Sequence, residues 1–432
     1  MDTSEHKNVF VVGLDDKNRE TLAHVPDAAR LRFHGLLDPG ELQEGEVDIE
    51  ALLDKARSQL DSFDGSIDAI VGYWDFPVSM LVPILTAEYG LPGTSLESVV
   101  KCEHKYWSRL EQSKVISELP RFALVDLEGP ARPPEGLEFP MWLKPVKSFS
   151  SDLAFRVEDE KEFTEAVDRI REGIGRIGRP FESILSRLDL PPEVAEAGGQ
   201  ACLAEEALRG VQVAVEGYVH NGEVVVYGVL DSVDYPGSPV FLRHQYPSVL
   251  DDDVVARLDD ISRRVITQVG LDSATYSIEF FYDPLTGDIN LLEINARHSQ
   301  SHAELFEYVD GLPNHDFMIS LGLGREPRMP ENRGRYPLAA KWYYRRFTDA
   351  RVVAVPDQEE IDRLTAEIPG LKIKVVPRPG QRLSDMIDQD SYSFELAHLF
   401  IGAEDETALR AKYERCVEEL TFEFDHIEAP GS

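Results

Sequence analysis

The sequence predicts a multidomain chain of mixed α/β and α+β class, and three observations carry that expectation. The chain has 432 residues, more than one hydrophobic core of ordinary size accommodates. Its first hundred or so residues alternate strand-like and helix-like segments, the rhythm of a small parallel sheet with helices on its faces. From Tyr336 onward the pattern changes to runs of strands with two helical segments, as in a small α+β module.

NVFVVGL reads as the first strand, because it is short, β-branched and stops at Gly13. IEALLDKARSQLDSF has helical spacing, SIDAIVGYW is a second strand, and PVSMLVPILTAEYG is a helix closed by Gly90. ESVVKCEHKYWSRLEQSK is predicted as one helix ending before Leu119-Pro120. MWLKPVKSFSSDLAFRV reads as strand, loop, strand, and EDEKEFTEAVDRIREG as an amphipathic helix with an acidic first turn. Residues 173–200 are rich in Gly and Pro and are expected to be irregular. Their GIGRIG is a literal GxGxxG, but it follows a helix and runs into Arg179-Pro180, so it reads as a connection and not a dinucleotide site. His220-Asn221-Gly222 separates two long strands and signals a hairpin. DDDVVARLDDISRRVITQVG is a helix with a Gly stop, and ATYSIEFFYDPLTGDINLLEINA is a second hairpin turning through Asp283–Asp288. AAKWYYRRF, RVVAVP, KIKVVP and FELAHLFIG then read as strands, with QEEIDRLTAEI and ETALRAKYERCVEEL as helices.

Composition limits the function classes. Hydrophobic residues make up 42% and charged residues 28%, a globular balance. The net charge of −35 repels nucleic acid and anionic membrane surfaces, so any polyanion would need a local basic pocket. Cys102, Cys202 and Cys416 form no CxxC and no disulfide framework, which fits a cytoplasmic location. The N-terminus lacks a basic, apolar signal-peptide pattern, and no apolar run approaches the roughly 20 residues of a membrane span.

The second hairpin carries the chemistry. In LLEINARHSQSH, Glu293, Asn295 and Arg297 alternate, so a strand projects them from one face. A register symmetric about Thr286 pairs Glu279 with Glu293. Like charges opposed across a ladder repel, by on the order of 3 kcal/mol at about 5 Å and an effective dielectric near 20. Flanking Ile278, Phe280, Phe281, Leu291 and Leu292 suggest burial, so a cation is expected between the acids. Glu279, Glu293 and the Asn295 amide oxygen are an all-oxygen set suited to Mg²⁺ and ill suited to Zn²⁺. A partly wet hairpin with solvated carboxylates is the competing reading of the hairpin alone. Lys144 ends an apolar strand before the Ser148–Ser151 loop, which could aim backbone N–H groups at phosphate. The loop has no glycine, so taken alone that stretch fits a plain strand end beside a Ser-rich turn better.

In order and spacing, these elements together resemble the ATP-grasp superfamily, and within it the carboxylate–amine ligases that include bacterial L-amino-acid and dipeptide ligases. The resemblance implies a Rossmann-like domain over 1–103, an ATP-grasp domain over 104–330 with lobes of about 104–204 and 205–330, and a C-terminal α+β module over 331–432. It implies ATP-binding roles for Lys105 (with Lys101 as a fallback), Lys144, Ser151, Glu205, the backbone of Glu206 and Leu208, and Gln212. Gln212 stands where the family has a ribose-binding acid, and Leu153 where its phosphate loop has a Gly. Metal ligation falls on Glu279, Glu293 and Asn295, and stabilisation of the transferred phosphoryl group on Arg297. Arg243, His244, Ser299, Ser301 and His302 are the candidate substrate contacts, against a helix N-terminus capped by Ser301 and a surface loop at Arg243-His244 as the competing readings.

The implied enzyme is an ATP-dependent ligase. It joins a small carboxylate and an amine, both amino acids or their derivatives, through an acyl phosphate and releases ADP and phosphate. ATP and two Mg²⁺ ions are the expected cofactors, with Mn²⁺ an expected substitute, and a homodimer is the expected assembly. ATP-dependent carboxylation or phosphoryl transfer is one competing reading, although no biotin-accepting Met-Lys-Met is present. A non-catalytic nucleotide-binding protein is the other.

Overall fold

The structure is a computed structural model that describes residues 6–43, 45, 47–148, 153–238, 240–329, 333–386 and 393–425. It divides into two compact units. One holds residues 1–228, 250–300 and 314–329; the other holds 229–249, 301–313 and 330–432. No helix among the described residues is long and apolar enough to cross a membrane.

The first unit opens with a parallel three-stranded sheet in the order Leu31–Leu36, Lys7–Val12, Ala69–Val71. Its strands are near-continuous apolar runs because both faces are covered. Phe10, Val12 and Ile70 pack with Leu53, Ala56 and Leu81 of helices Ile49–Asp61 and Val78–Glu88. Val9, Val11 and Val71 pack with Leu22, and with Met318 and Ile319 of helix His315–Gly322. An antiparallel sheet follows, ordered Phe122–Val125, Cys202–Glu206, Met141–Pro145, Phe155–Val157. Phe163, Val167 and Ile170 of helix Glu160–Gly173 close one of its faces. Strands Ile289–Asn295, Ala274–Tyr282 and Val211–His220 pair antiparallel, and the strand from Glu223 lies beside Val211–His220. Asn221 and Gly222 turn between these last two with φ of 52° and 78°, the positive pair that a tight hairpin requires.

Two sequence expectations fail in this unit. The helix predicted from Glu97 to Lys114 is two helices, Leu96–Glu103 and Lys105–Gln112, broken at His104. The fully buried His104 imidazole explains the break. Its Nδ1 accepts from the Trp107 N–H (3.2 Å) and caps the second helix, while Nε2 donates to the Gly198 carbonyl (3.0 Å). The stretch predicted as irregular contains helices Gly175–Leu185 and Pro192–Ala197. Ile177, Phe181, Ile184 and Leu185 are buried at helical spacing, a signal masked by the glycines around them. Gly178 serves packing: a Cβ there would lie 2.9 Å from the Gly199 carbonyl oxygen.

In the second unit, strands Phe241–Tyr246, Leu338–Arg346, Phe394–Ala403 and Leu371–Val375 pair antiparallel in that order. Trp342, Leu399 and Ile401 face Leu364, Leu409 and Cys416 of helices Gln358–Glu367 and Glu406–Glu419. Helix Ala303–Asp310 packs here too, with Phe306 4.5 Å from the Tyr246 ring.

Candidate active site

Glu279 and Glu293 are direct cross-strand partners, as is the pair Ser277 and Asn295. Beyond Glu279 the ladder shifts, so that Phe280 opposes Leu291 and Leu292 is an extra, bulged residue. The bulge lets Leu291 and Ile294 both point into the core, so Leu292 does not share the face of Ile294 as strict alternation predicts. The peptide carbonyls freed by the bulge are claimed by Arg109, whose Nη1 donates to Leu291 O (3.0 Å) and Nη2 to Leu292 O (2.6 Å). Arg109 Nε also donates to Glu205 Oε1 (2.7 Å), and the other Glu205 oxygen pairs with Lys144. Arg109 and Glu205 are both 2% exposed. Burial alone would raise the Glu205 carboxyl, but Arg109 and Lys144 hold it at about 2.

Burial and, next, the facing Glu293 push Glu279 up to about 8, against the opposing charge of Arg297 and the Gln212 amide, which donates to Glu279. Two facing carboxylates, one driven toward its neutral form, suit a divalent cation. Among the described residues no cluster of three His, Cys, Asp or Glu stands together, and the further oxygen donor nearest along the strand is the Asn295 amide, two residues past Glu293. Mg²⁺ keeps waters and phosphate oxygens in its shell, and the residues present fit that requirement.

Basic groups lie close to the two acids. Lys105, placed by the His104 break in the first turn of its helix, donates to Ser148 O (3.0 Å). Burial lowers Lys105 to about 8, with Lys144 and Lys147 adding to the effect and Glu293 opposing it. Lys101 pairs with Glu97 on its own helix (2.6 Å). Arg297 Nε and Nη2 grip the two oxygens of Asp75, each at 2.9 Å, in a bidentate pair. Burial would raise Asp75, but Arg297, Lys147 and Lys105 outweigh it and hold the carboxyl low. Lys147 pairs with Glu103 (2.5 Å).

Glu206 ends its strand with its side chain toward Arg121 (3.3 Å), and its N–H donates to Arg121 O (2.9 Å). The Leu208 backbone makes no hydrogen bond with the described residues. Ser151 lies outside the described residues. Ser299 belongs to the first unit, where its N–H reaches Glu216 (3.3 Å). Arg243, His244, Ser301 and His302 belong to the second. Arg243 and His244 are adjacent on one strand and point to opposite faces. Arg243 stacks on Trp342 (4.5 Å) and pairs with Glu406 (2.7 Å), whereas His244 meets Ser232 (3.0 Å) and the His302 ring (5.1 Å).

Arg109, Asp75, Glu103 and Lys147 escaped the sequence reading, although signals existed. Arg109 is four residues past Lys105 and so shares its helix face. Asp75 sits just past the carboxyl end of a parallel strand, where ligands of open α/β sheets bind.

No curated protein matches the chain. Among solved structures, an L-amino acid ligase from Bacillus licheniformis is 16% identical with a TM-score of 0.74, covering 98% of this chain and 100% of its own. A phosphoribosylglycinamide synthetase from Anaerococcus prevotii is 13% identical with a TM-score of 0.66, over 98% and 100%. A carboxyaminoimidazole ribonucleotide synthase from Aspergillus clavatus, solved with ATP, is 15% identical with a TM-score of 0.67, over 96% and 99%. Residues 137–303, which include Lys144, Glu205, Glu279, Glu293, Asn295 and Arg297, match the ATP-grasp domain family. Residues 137–303 are thus an ATP-grasp domain by their family match, and the chain shares its fold with these enzymes over nearly its whole length.

Proposed function

We propose that the protein is an ATP-dependent carboxylate–amine ligase, with residues 1–103, 104–330 and 331–432 as its Rossmann-like, ATP-grasp and C-terminal parts. The observation that carries the reading is the Glu279–Glu293 pair close to three cations, the buried Lys144 and the half-buried Lys105 and Arg297. Lys105 and Lys144 bind nucleotide phosphates, and the free Leu208 backbone meets the adenine edge, beside Glu206. Gln212 reaches a ribose hydroxyl and Ser151 covers the phosphates. Glu279, Glu293 and Asn295 hold Mg²⁺, which supplies charge neutralisation on the phosphates when bound. A substrate carboxylate attacks the γ-phosphorus; its O–P bond forms as the bond to ADP breaks. The amine nitrogen then attacks the acyl carbon, phosphate departs with the electron pair of the C–O bond, and the nitrogen loses a proton. Arg297 neutralises the transferred phosphoryl group. His244, His302, Ser299, Ser301 and Arg243 are assigned to the substrates, and the assembly to a homodimer in the cytoplasm.

Phosphate release from MgATP, screened over pairs of carboxylates and amines with mass spectrometry of the product, tests this. Release that needs both substrates is expected; release that needs bicarbonate instead favours carboxylation, the reaction class suggested by the ribonucleotide synthase likeness. Arg297→Met is expected to cost about 10²–10³ in kcat. Asp75→Asn keeps the Arg297 charge and loses only its grip, so a smaller loss, about tenfold, is expected in the same assay. Equal losses would place Asp75 among the groups that touch substrate.

A further inference from the structure

Buried cations in this protein have carboxylate partners: Lys144 and Arg109 share Glu205, Lys147 has Glu103, and Arg345 has Glu395. Lys341 departs from that pattern. It lies mid-strand in Leu338–Arg346 of the second unit and is 5% exposed. Its neighbours Ala340 and Trp342 point into the helix-covered core, so Lys341 and Tyr343 project from the opposite face. Its direct cross-strand partners are His244 and Phe400. The ammonium stands 4.5 Å from the Tyr343 ring centroid and 5.9 Å from that of Phe400. No hydrogen-bond acceptor among the described residues reaches it. The acid that could serve, Glu395, is taken by Arg345 (2.8 Å) and His398 (2.6 Å).

An aromatic face accepts the charge of an ammonium but none of its three N–H bonds. Those donors keep only slight access to solvent, and an acceptor from outside the chain satisfies them. The surroundings choose its charge. Arg345 adds positive potential, which Glu395 and Glu304 partly offset, a balance that suits a carboxylate. His244 and His302, 5.1 Å apart, and Tyr343, 5.5 Å from His244, supply further polar and aromatic wall. We infer that Lys341 anchors the carboxylate of a small organic ligand in a site walled by His244, His302 and Tyr343. The site shares His244 and His302 with the substrate contacts proposed above and so deepens that reading, while the observations behind it lie in the second unit alone.

The test is the thermal midpoint of the full chain at constant ionic strength, titrated with succinate, L-glutamate, succinamide and inorganic phosphate. Saturating succinate or L-glutamate is expected to raise the midpoint by about 3 °C or more, and succinamide is expected to leave it unmoved. Lys341→Met is expected to abolish that shift. Without ligand its midpoint should equal or exceed that of the wild type, because an uncompensated buried charge is gone. Lys372→Met, one strand beyond Phe394–Ala403 and 44% exposed at its side chain, should keep the response. A response that survives in Lys341→Met and is lost in Arg297→Met places the ligand in the first unit and overturns the inference. So does a response to phosphate alone, to succinamide as much as to succinate, or to none of the four. Lys341→Gln serves if the Met variant does not fold; failure of both to fold makes Lys341 a core residue and equally overturns it.

Discussion

Glu279→Gln is expected to remove metal-dependent turnover, by about 10³-fold or more, while making the metal-free protein more stable. The opposite signs come from one arrangement. Glu279 and Glu293 face each other across the ladder, and burial together with that neighbour pushes Glu279 up to about 8. A carboxyl raised in the folded state contributes stability below its unfolded range, near 4.5. That stability is lost as pH rises toward 8, because the folded chain then holds a proton that the unfolded chain has released. At neutral pH the penalty is on the order of 3 kcal/mol, and the neutral amide removes it. Denaturation of the metal-free protein between pH 5 and 8 checks this: a falling stability is expected for wild type, and a flatter profile for Glu279→Gln. Mg²⁺ must displace the proton, so metal affinity is expected to climb over the same window. A variant both inactive and less stable at every pH would show that the two acids do not oppose each other.

Arg109→Met is expected to be the most destabilising single change in the first unit, by about 3–5 kcal/mol. It strips Glu205 of one of its two cations and leaves the Leu291 and Leu292 carbonyls without their donor. Arg109→Lys keeps the charge but cannot span the fork, so a loss of roughly half that size is expected. Calorimetry of both variants measures the effect. Because Arg109 holds the bulge one residue before Glu293, the Lys variant should also bind Mg²⁺ about tenfold more weakly, the size of effect seen for groups that orient metal ligands. Loss of stability with unchanged Mg²⁺ affinity would confine Arg109 to packing.

Much of the architecture was legible because it is written in local periodicity. The apolar runs of Lys7–Val12 and Ala69–Val71, the turn at Asn221-Gly222 and the amphipathic Glu160–Gly173 each need only a dozen or so neighbouring residues to be recognised. Pairing of Glu279 with Glu293 agrees with the register symmetric about Thr286, but it is the bulge at Leu292 that delivers it, since the turn alone pairs Tyr282 with Ile289 and would set Glu279 opposite Leu292. The break at His104 was not legible, because its cause is the Gly198 carbonyl far along the chain. Nor were the helices after Gly173, where glycine chosen for close packing reads locally as a loop.

By itself, then, the sequence determined the acidic hairpin, the order of strands and helices around it, and which lysines and arginine were available. Tertiary structure alone decided which charges neutralise which: Asp75 on Arg297, Glu205 shared by Arg109 and Lys144, Glu103 on Lys147, and none on Lys341. Local propensity acts over a few residues through backbone hydrogen bonds and side-chain spacing. The partner of a buried charge is chosen by proximity in three dimensions, here between residues up to 222 positions apart.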